Sequence, residues 1–247
     1  MSNFYGPEQA AIHHTRFGDL AADAAALVVE RLGAAGLSEG RVTDLGCGSG
    51  ILAAAMVAAG YSVDGIDLSA DMIELARTNA PTGEFTVGSV HDAVIRPSVA
   101  VSATGEVLNY AVDPRAGLDA LSALAAHAFS ALTPGGVFTF DIATPGRNFG
   151  AHVRHVFHDR DTWLLGMHAT ETGHRLEKRV VILSKEADGR YRRVDEEYHL
   201  VLYDVDSVTD ALEAAGFVVE VLPSFTKATA SQPESGWAVF LATKPKG

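Results

Sequence analysis

With 247 residues, 47% of them hydrophobic, the chain is long enough for one large α/β domain or for a domain carrying an insert. Its net charge of −12, with no Lys or Arg run to break it, weighs against nucleic acids and anionic membrane surfaces, which both call for a basic footprint. The single cysteine, Cys47, excludes an intramolecular disulfide framework and a cysteine zinc cluster, and the absence of a basic leader or a long apolar run predicts a soluble cytoplasmic protein.

The chain opens with a segment unusual in its aromatics and its histidine pair, Tyr5, His13, His14 and Phe17, ahead of an alanine- and leucine-rich helix over 19–32 that Gly33 and Gly36 close. A short buried strand over 42–45 then runs into Gly46-Cys47-Gly48-Ser49-Gly50, and a helix over 51–59 follows at once. Such a turn brings a ligand against the main chain, where the free N–H groups of the next helix point outward. The next strand, over 62–67, ends in Asp67, and an acid at that strand tip accepts hydrogen bonds from ribose hydroxyls in doubly wound folds. The glycine spacing is G-x-G-x-G, not the G-x-G-x-x-G that brings a pyrophosphate onto a helix. Asp44, two residues before the first glycine, is suited to a cationic amino group and is a poor neighbour for a pyrophosphate.

Ser69 caps a helix that reaches about residue 80 and stops at Pro81. A third strand over 84–87 leads to Gly88-Ser89-Val90-His91-Asp92, and a fourth over 99–103 leads to Thr104-Gly105-Glu106-Val107-Leu108-Asn109-Tyr110. A long helix over 115–132 and the turn Pro134-Gly135-Gly136 precede a fifth strand over 137–141. This alternation predicts a parallel sheet with helices on both faces. From 143 to 202 the rhythm changes to β-branched and aromatic runs over 163–170, 175–184 and 191–203, with hairpin signals at Thr172-Gly173 and Asp188-Gly189. We read this as an inserted antiparallel meander, a candidate lid, brace or homodimer contact. A helix capped near Asp206 or Ser207 and stopped by Gly216, then strands over 217–222 and 237–243, complete the chain.

Asp44-Leu45-Gly46-Cys47-Gly48-Ser49-Gly50 and Gly65-Ile66-Asp67-Leu68-Ser69, with Met72 following, resemble the first two motifs of the class I S-adenosylmethionine-dependent methyltransferases. Leu132-Thr133-Pro134-Gly135-Gly136 is similar to the turn before their fifth strand. The resemblance covers 1–142 and 203–247 and leaves the insert outside it. It implies a Rossmann-like, seven-stranded, mostly parallel sheet with an antiparallel edge hairpin, S-adenosylmethionine as cofactor, and an N-terminal segment folded over it. It further implies that Asp44 faces the methionine amino group, that Gly46, Cys47 and Gly48 line the methionine and ribose, and that Asp67 holds the ribose hydroxyls. Leu68 and Met72 then press on the adenine, or else are plain core residues. Ser89 and Val90 frame the adenine edge, and Thr104 joins them from the fourth strand tip. The family often has Asp where Ser89 stands, so the adenine amino contact would fall to a backbone group or to Asp92.

Methyl transfer from a sulfonium is an in-line displacement, and a base is needed only when the acceptor must lose a proton. His13 and His14 are the leading base candidates, with surface histidines as the alternative. Tyr110, Glu106 and Asn109 are candidates for acceptor contact, with capping of the following helix and packing as the alternative for each, and Tyr110 is the one taken as catalytic. No N-P-P-Y-like stretch follows the fourth strand, which disfavours the acceptors of the nucleic-acid and protein-amide enzymes. His152, His155 and His158, spaced by three, lack a completing carboxylate or cysteine, so no metal is expected. His174, Tyr198 and His199 lie in the insert as candidate lid residues. The expected activity is methyl transfer to an oxygen or nitrogen of a small molecule. The alternative is a non-catalytic cofactor binder working as a sensor or assembly partner, and a nicotinamide oxidoreductase is disfavoured by the glycine spacing.

Overall fold

The computed structural model describes residues 18–148, 153–160, 162–186, 188–226 and 236–246. Its larger sheet has seven strands in the order β10-β11-β5-β4-β1-β2-β3. The strands are β1 Arg41–Leu45, β2 Ser62–Asp67, β3 Glu84–Val87, β4 Ser98–Ala103, β5 Leu132–Ala143, β10 Val218–Leu222 and β11 Trp237–Thr243. β1 to β5 are parallel, and β11 pairs antiparallel with both β5 and β10. β4 is buried at all six positions, and its apolar run is the pattern of a strand covered on both faces.

Helices α1 Gly18–Ala35, α2 Ile51–Ala58 and α3 Ala70–Asn79 cover one face; α4 Leu118–Ala131 and α5 Val205–Ala214 cover the other. The first core packs Leu27, Val28 and Leu32 of α1 with Leu52 and Met56 of α2; the second is aromatic, with Phe138, Phe140, Phe217 and Phe240. Ser69 caps α3 as expected, its hydroxyl accepting from Met72 N at 3.2 Å.

α4 begins at Leu118, not near Arg115. Pro114 and Arg115 form a turn instead, closed by Ala116 N donating to Asp113 O at 3.0 Å, and the Arg115 side chain is held by Asp113 and Asp92. α5 begins at Val205, ahead of the expected cap, and Asp206 falls in its first turn. Asp204 precedes the helix but turns its carboxylate to His174, 3.0 Å away. β5 begins five residues earlier than the motif implied. The Pro134-Gly135-Gly136 turn lies inside it as an irregularity, where the β4 partner jumps from Leu132 to Val137.

The insert forms a second sheet of four antiparallel strands, β6 Val153–Arg160, β7 Trp163–Thr172, β8 Arg175–Lys185 and β9 Tyr191–Val201. β6 had no counterpart among the expected strands. His155 pairs with His168 and His158 with Leu165, so the two β6 histidines point to opposite faces of the strand. One face packs Ala169, Leu176, Val180, Ile182, Tyr198 and Leu200 into a third core with Tyr110 at its rim. Tyr110 bridges to Leu200, and Ala111 N donates to His199 O at 2.8 Å, so the loop after β4 extends the second sheet at β9. No helix among the described residues is long and apolar enough to cross a membrane.

Candidate active site

β1 and β4 are neighbours in the sheet while their connections leave in opposite directions, and ligands bind at such a switch point in open α/β sheets. A cleft opens there, beyond the carboxyl ends of β1 to β4. Its wall is Gly46 and Gly48 of the glycine turn, Asp67, Leu68 and Met72 at the β2 tip, and Ser89, Val90 and His91 after β3. Thr104, Gly105, Val107, Tyr110, Val112 and Asp113 close it from the β4 side.

The two glycines that the turn gives to the cleft serve different ends. A Cβ on Gly46 would stand 2.5 Å from Val107 Cγ1, so its absence lets the loop after β4 lie on the turn. Gly48 has φ +52 and nothing within 4 Å of where a Cβ would be. Open space over bare main chain is what a ligand lying on the turn requires.

Asp67 ties the turn to β2. Gly48 N donates to its Oδ2 at 2.9 Å and Ser69 N to its Oδ1 at 2.8 Å. Burial raises its carboxyl above the ordinary range, against the pull of these backbone donors. Each oxygen accepts a backbone N–H, and a carboxylate with about four lone-pair sites has further acceptor capacity.

Asp44 is 1% exposed and does not line the cleft. Ser102 Oγ donates to its Oδ1 at 2.8 Å, while Oδ2 has no hydrogen-bond partner among the described residues. Burial pushes this carboxyl up to about 7, the Ser102 bond opposes the rise, and the charge of Asp67 adds to it. Cys47 also stands apart: its side chain is buried in the first core against Gly65, and its N–H is spent on Ile66 O at 3.0 Å. Its role in the fold is packing.

Of the remaining candidates, Gly46, Gly48, Asp67, Leu68, Met72, Ser89, Val90, Thr104 and Tyr110 come together around one cleft. Met72 is buried and Leu68 exposed, so one is both core and wall. His13 and His14 lie outside the described residues. Asp92 is exposed, bonded to Arg115 and absent from the lining. Asn109 is fully buried and holds the insert. Its Nδ2 donates to Ala143 O at 2.8 Å and Val201 O at 2.6 Å, and its Oδ1 accepts from Ala143 N at 3.0 Å. These bonds gather the points where the chain leaves the larger sheet and returns to it.

Asp141 and Asp113 were missed by the sequence reading, and Glu106, read there as an acceptor contact or a capping and packing residue, is buried. Asp141, at the β5 tip, accepts from Gly105 N at 2.7 Å, Glu106 N at 3.0 Å and Trp237 Nε1 at 3.0 Å. It sets the loop that forms the far wall, and burial pushes its carboxyl up to about 6, with the Trp237 bond opposing and Glu106 adding to the rise. Glu106 is the sole non-glycine residue with positive φ among the described residues, at 59°. It is buried and pairs with Arg147 Nε at 2.5 Å and Lys178 Nζ at 3.1 Å. Asp113 faces the cleft beside Ser89, and its only sequence signal is an Asp-Pro turn.

A family model described as a methyltransferase domain matches residues 13–222. A chain of Geobacillus sp. (strain WCH70) that carries a provisional methyltransferase name is 24% identical over 213 residues, covering 83% of this chain and 84% of its own. The crystal structure of a S-adenosylmethionine-dependent methyltransferase from Clostridium acetobutylicum ATCC 824 matches with TM-score 0.82 at 15% identity, over 96% of this chain and 98% of that one. An amino pentose methyltransferase from Micromonospora echinaspora, involved in calicheamicin biosynthesis and solved with S-adenosylmethionine bound, matches with TM-score 0.73 at 22% identity, over 98% and 100%. The glycine turn, the acid at the β2 tip and a family match spanning most of the sequence agree: the chain belongs to the methyltransferase-domain family and carries the fold of its S-adenosylmethionine-dependent members.

Proposed function

We propose that this chain transfers a methyl group from S-adenosylmethionine to a nitrogen or oxygen of a small polar molecule, an amino sugar being the favoured acceptor class. The observation that carries the reading is the pairing of an open glycine turn with two acids of different kind. Asp67 faces the cleft with spare acceptor capacity for a ribose diol, and Asp44 lies sealed beneath the turn with one carboxylate oxygen unspent. Two carboxylates at this turn would repel a pyrophosphate and favour a cationic amino acid moiety. Leu68, Met72, Val90 and Val112 add apolar wall suited to a flat base.

The bound cofactor supplies an activated methyl on sulfur. The chain's share is alignment, exclusion of water and removal of the acceptor's proton. Tyr110, half-buried and set edge-on to Tyr198 at 5.8 Å, orients the acceptor where cleft and second sheet meet. In this reading His13 or His14 takes the proton. An amine acceptor suits the net charge of −12, which draws a cation inward. The whole-length likeness to an amino pentose methyltransferase, second sheet included, supports the same class.

Proton linkage tests the cofactor site. In the free protein Asp44, with its carboxyl near 7, is part-protonated just below neutrality. A cation bound over the turn favours the carboxylate. Binding of S-adenosylmethionine is therefore expected to release a proton at about pH 6, and to weaken as pH falls from about 7 to 5. Titration calorimetry in buffers of different ionisation enthalpy reads that proton, and Asp44→Asn should abolish it. Affinity independent of pH over this range would remove Asp44 from the cofactor's environment.

A further inference from the structure

The face of the second sheet turned away from the third core carries a histidine pair that lies outside the cleft lining. His155 of β6 and His168 of β7 stand directly opposite each other in the antiparallel ladder, and both are exposed. Their imidazoles meet through the same ring atom: Nδ1 of one lies 3.3 Å from Nδ1 of the other, with ring centroids 4.8 Å apart. The far nitrogen of His168 is engaged too, with Thr170 Oγ1 lying 3.2 Å from its Nε2. Histidine spacing along β6 does not reveal this pair, because His158 points to the other face and the partner comes from the next strand.

Two neutral ring nitrogens that face each other either share one proton or turn both lone pairs to a common cation. At 3.3 Å the pair is past the usual range of about 2.7–3.2 Å for an N–H donor and its acceptor. A tetrahedral ion with metal–nitrogen bonds of about 2.0–2.1 Å holds two nitrogens about 3.3–3.4 Å apart, whereas a right-angled pair sits at about 2.8–3.0 Å. The observed separation is the tetrahedral one. Thr170 supplies what a ligating imidazole needs on its other side. When His168 Nε2–H donates to the Thr170 hydroxyl, the ring's lone pair rests on Nδ1, facing His155. Ligation then asks only that His155 hold its proton on Nε2, a change of tautomer with no net proton lost. Of the charges on this face, Arg179 stands opposite His168 on β8, with Asp195 of β9 3.9 Å away, and Glu177 opposite Thr170 offsets it. We infer that His155 and His168 form a binding site for a tetrahedral transition-metal dication, zinc being the best fit, which clips the edge strand β6 to β7. Two protein ligands leave two positions to solvent. The inference does not depend on the cofactor reading above.

The test titrates Zn²⁺ into the full chain after chelator treatment and reads the affinity by calorimetry. His155→Ala and His168→Ala should each weaken zinc binding by about tenfold or more, since even a residue that only orients a metal ligand is worth that much. Thr170→Val keeps the side chain's shape and loses its hydroxyl, and should weaken binding by less than either histidine substitution. His158→Ala, on the other face of β6, should leave it unchanged. Co²⁺ in place of zinc should give the intense visible absorption of a tetrahedral site, and this should vanish when His155→Ala and His168→Ala are combined. A wild-type protein that takes up no zinc overturns the assignment. So does an affinity that survives the combined substitution, which would move the metal to other histidines of the chain.

Discussion

Asp67→Ala is expected to weaken S-adenosylmethionine binding by about 1.5–3 kcal/mol, roughly 10- to 150-fold, with the apoprotein still folded. Two losses combine. The side chain carries the acceptor oxygens that the ribose diol would use, and it also holds Gly48 N and Ser69 N, which set the turn and the first residues before α3. Asp67→Asn should do nearly as badly, since its amide nitrogen must face one of those two N–H donors. The apoprotein should lose little, because burial already works against the Asp67 charge in the empty site. Calorimetry gives the affinity and a thermal melt without cofactor gives the fold. Wild-type affinity in a folded Asp67→Ala protein would take Asp67 out of the site.

Glu106→Ala is expected to be the most destabilising of the single substitutions considered, at about 3 kcal/mol, the lower end of the cost of breaking a buried pair, because its partner charges are only partly buried. Glu106 is 7% exposed, and its partners Arg147 and Lys178 come from the segment after β5 and from β8, so it ties the larger sheet to the second. Burial would raise its carboxyl, but the Lys178 and Arg147 cations outweigh burial and hold it below the ordinary 4.5. A lowered acid pKa stabilises the fold above its unfolded value, so this contribution is lost as pH falls through and below 4.5. Asp44 and Asp141 act in the opposite sense. Their carboxyls are raised to about 7 and about 6, and they favour the fold at low pH and less so as pH rises through those values. Glu106→Gly should be less damaging than Glu106→Ala by about 1 kcal/mol, because φ 59° strains any side chain but suits glycine. Urea melts of the two variants separate pairing from strain. Equal stabilities would deny the backbone term, and wild-type stability in both would deny the ion pairs.

The parts of this molecule legible in the sequence are those whose reasons are local. The glycine turn, β2 and the Ser69 cap announce themselves within a few residues, and β2, β3 and β11 stand where the apolar runs placed them. The nine cleft-lining candidates were found because each sits just beyond a readable strand or at the start of the helix that follows. β6 was not legible because it is half-buried at best along its whole length, so its side chains show no apolar alternation. The inward turn of Cys47 depends on the gap left by Gly65 on the neighbouring strand, which spacing along one chain cannot show. Asp141 acquires its meaning from Trp237, and Glu106 from Lys178, partners brought from distant parts of the sequence. Asn109 reads in the sequence as either a substrate contact or a packing residue, and it is a clamp, a choice visible only once Ala143 and Val201 stand beside it.

The most direct test of the account follows a labelled methyl group. The protein is incubated with S-adenosylmethionine carrying the label and with an extract divided into small molecules and macromolecules, supplemented with amino sugars. Label is predicted to appear in the small-molecule fraction, on a nitrogen or oxygen of a polar acceptor, and to depend on Asp67. Label in protein or nucleic acid, or none transferred to any acceptor while the cofactor binds tightly, would contradict it.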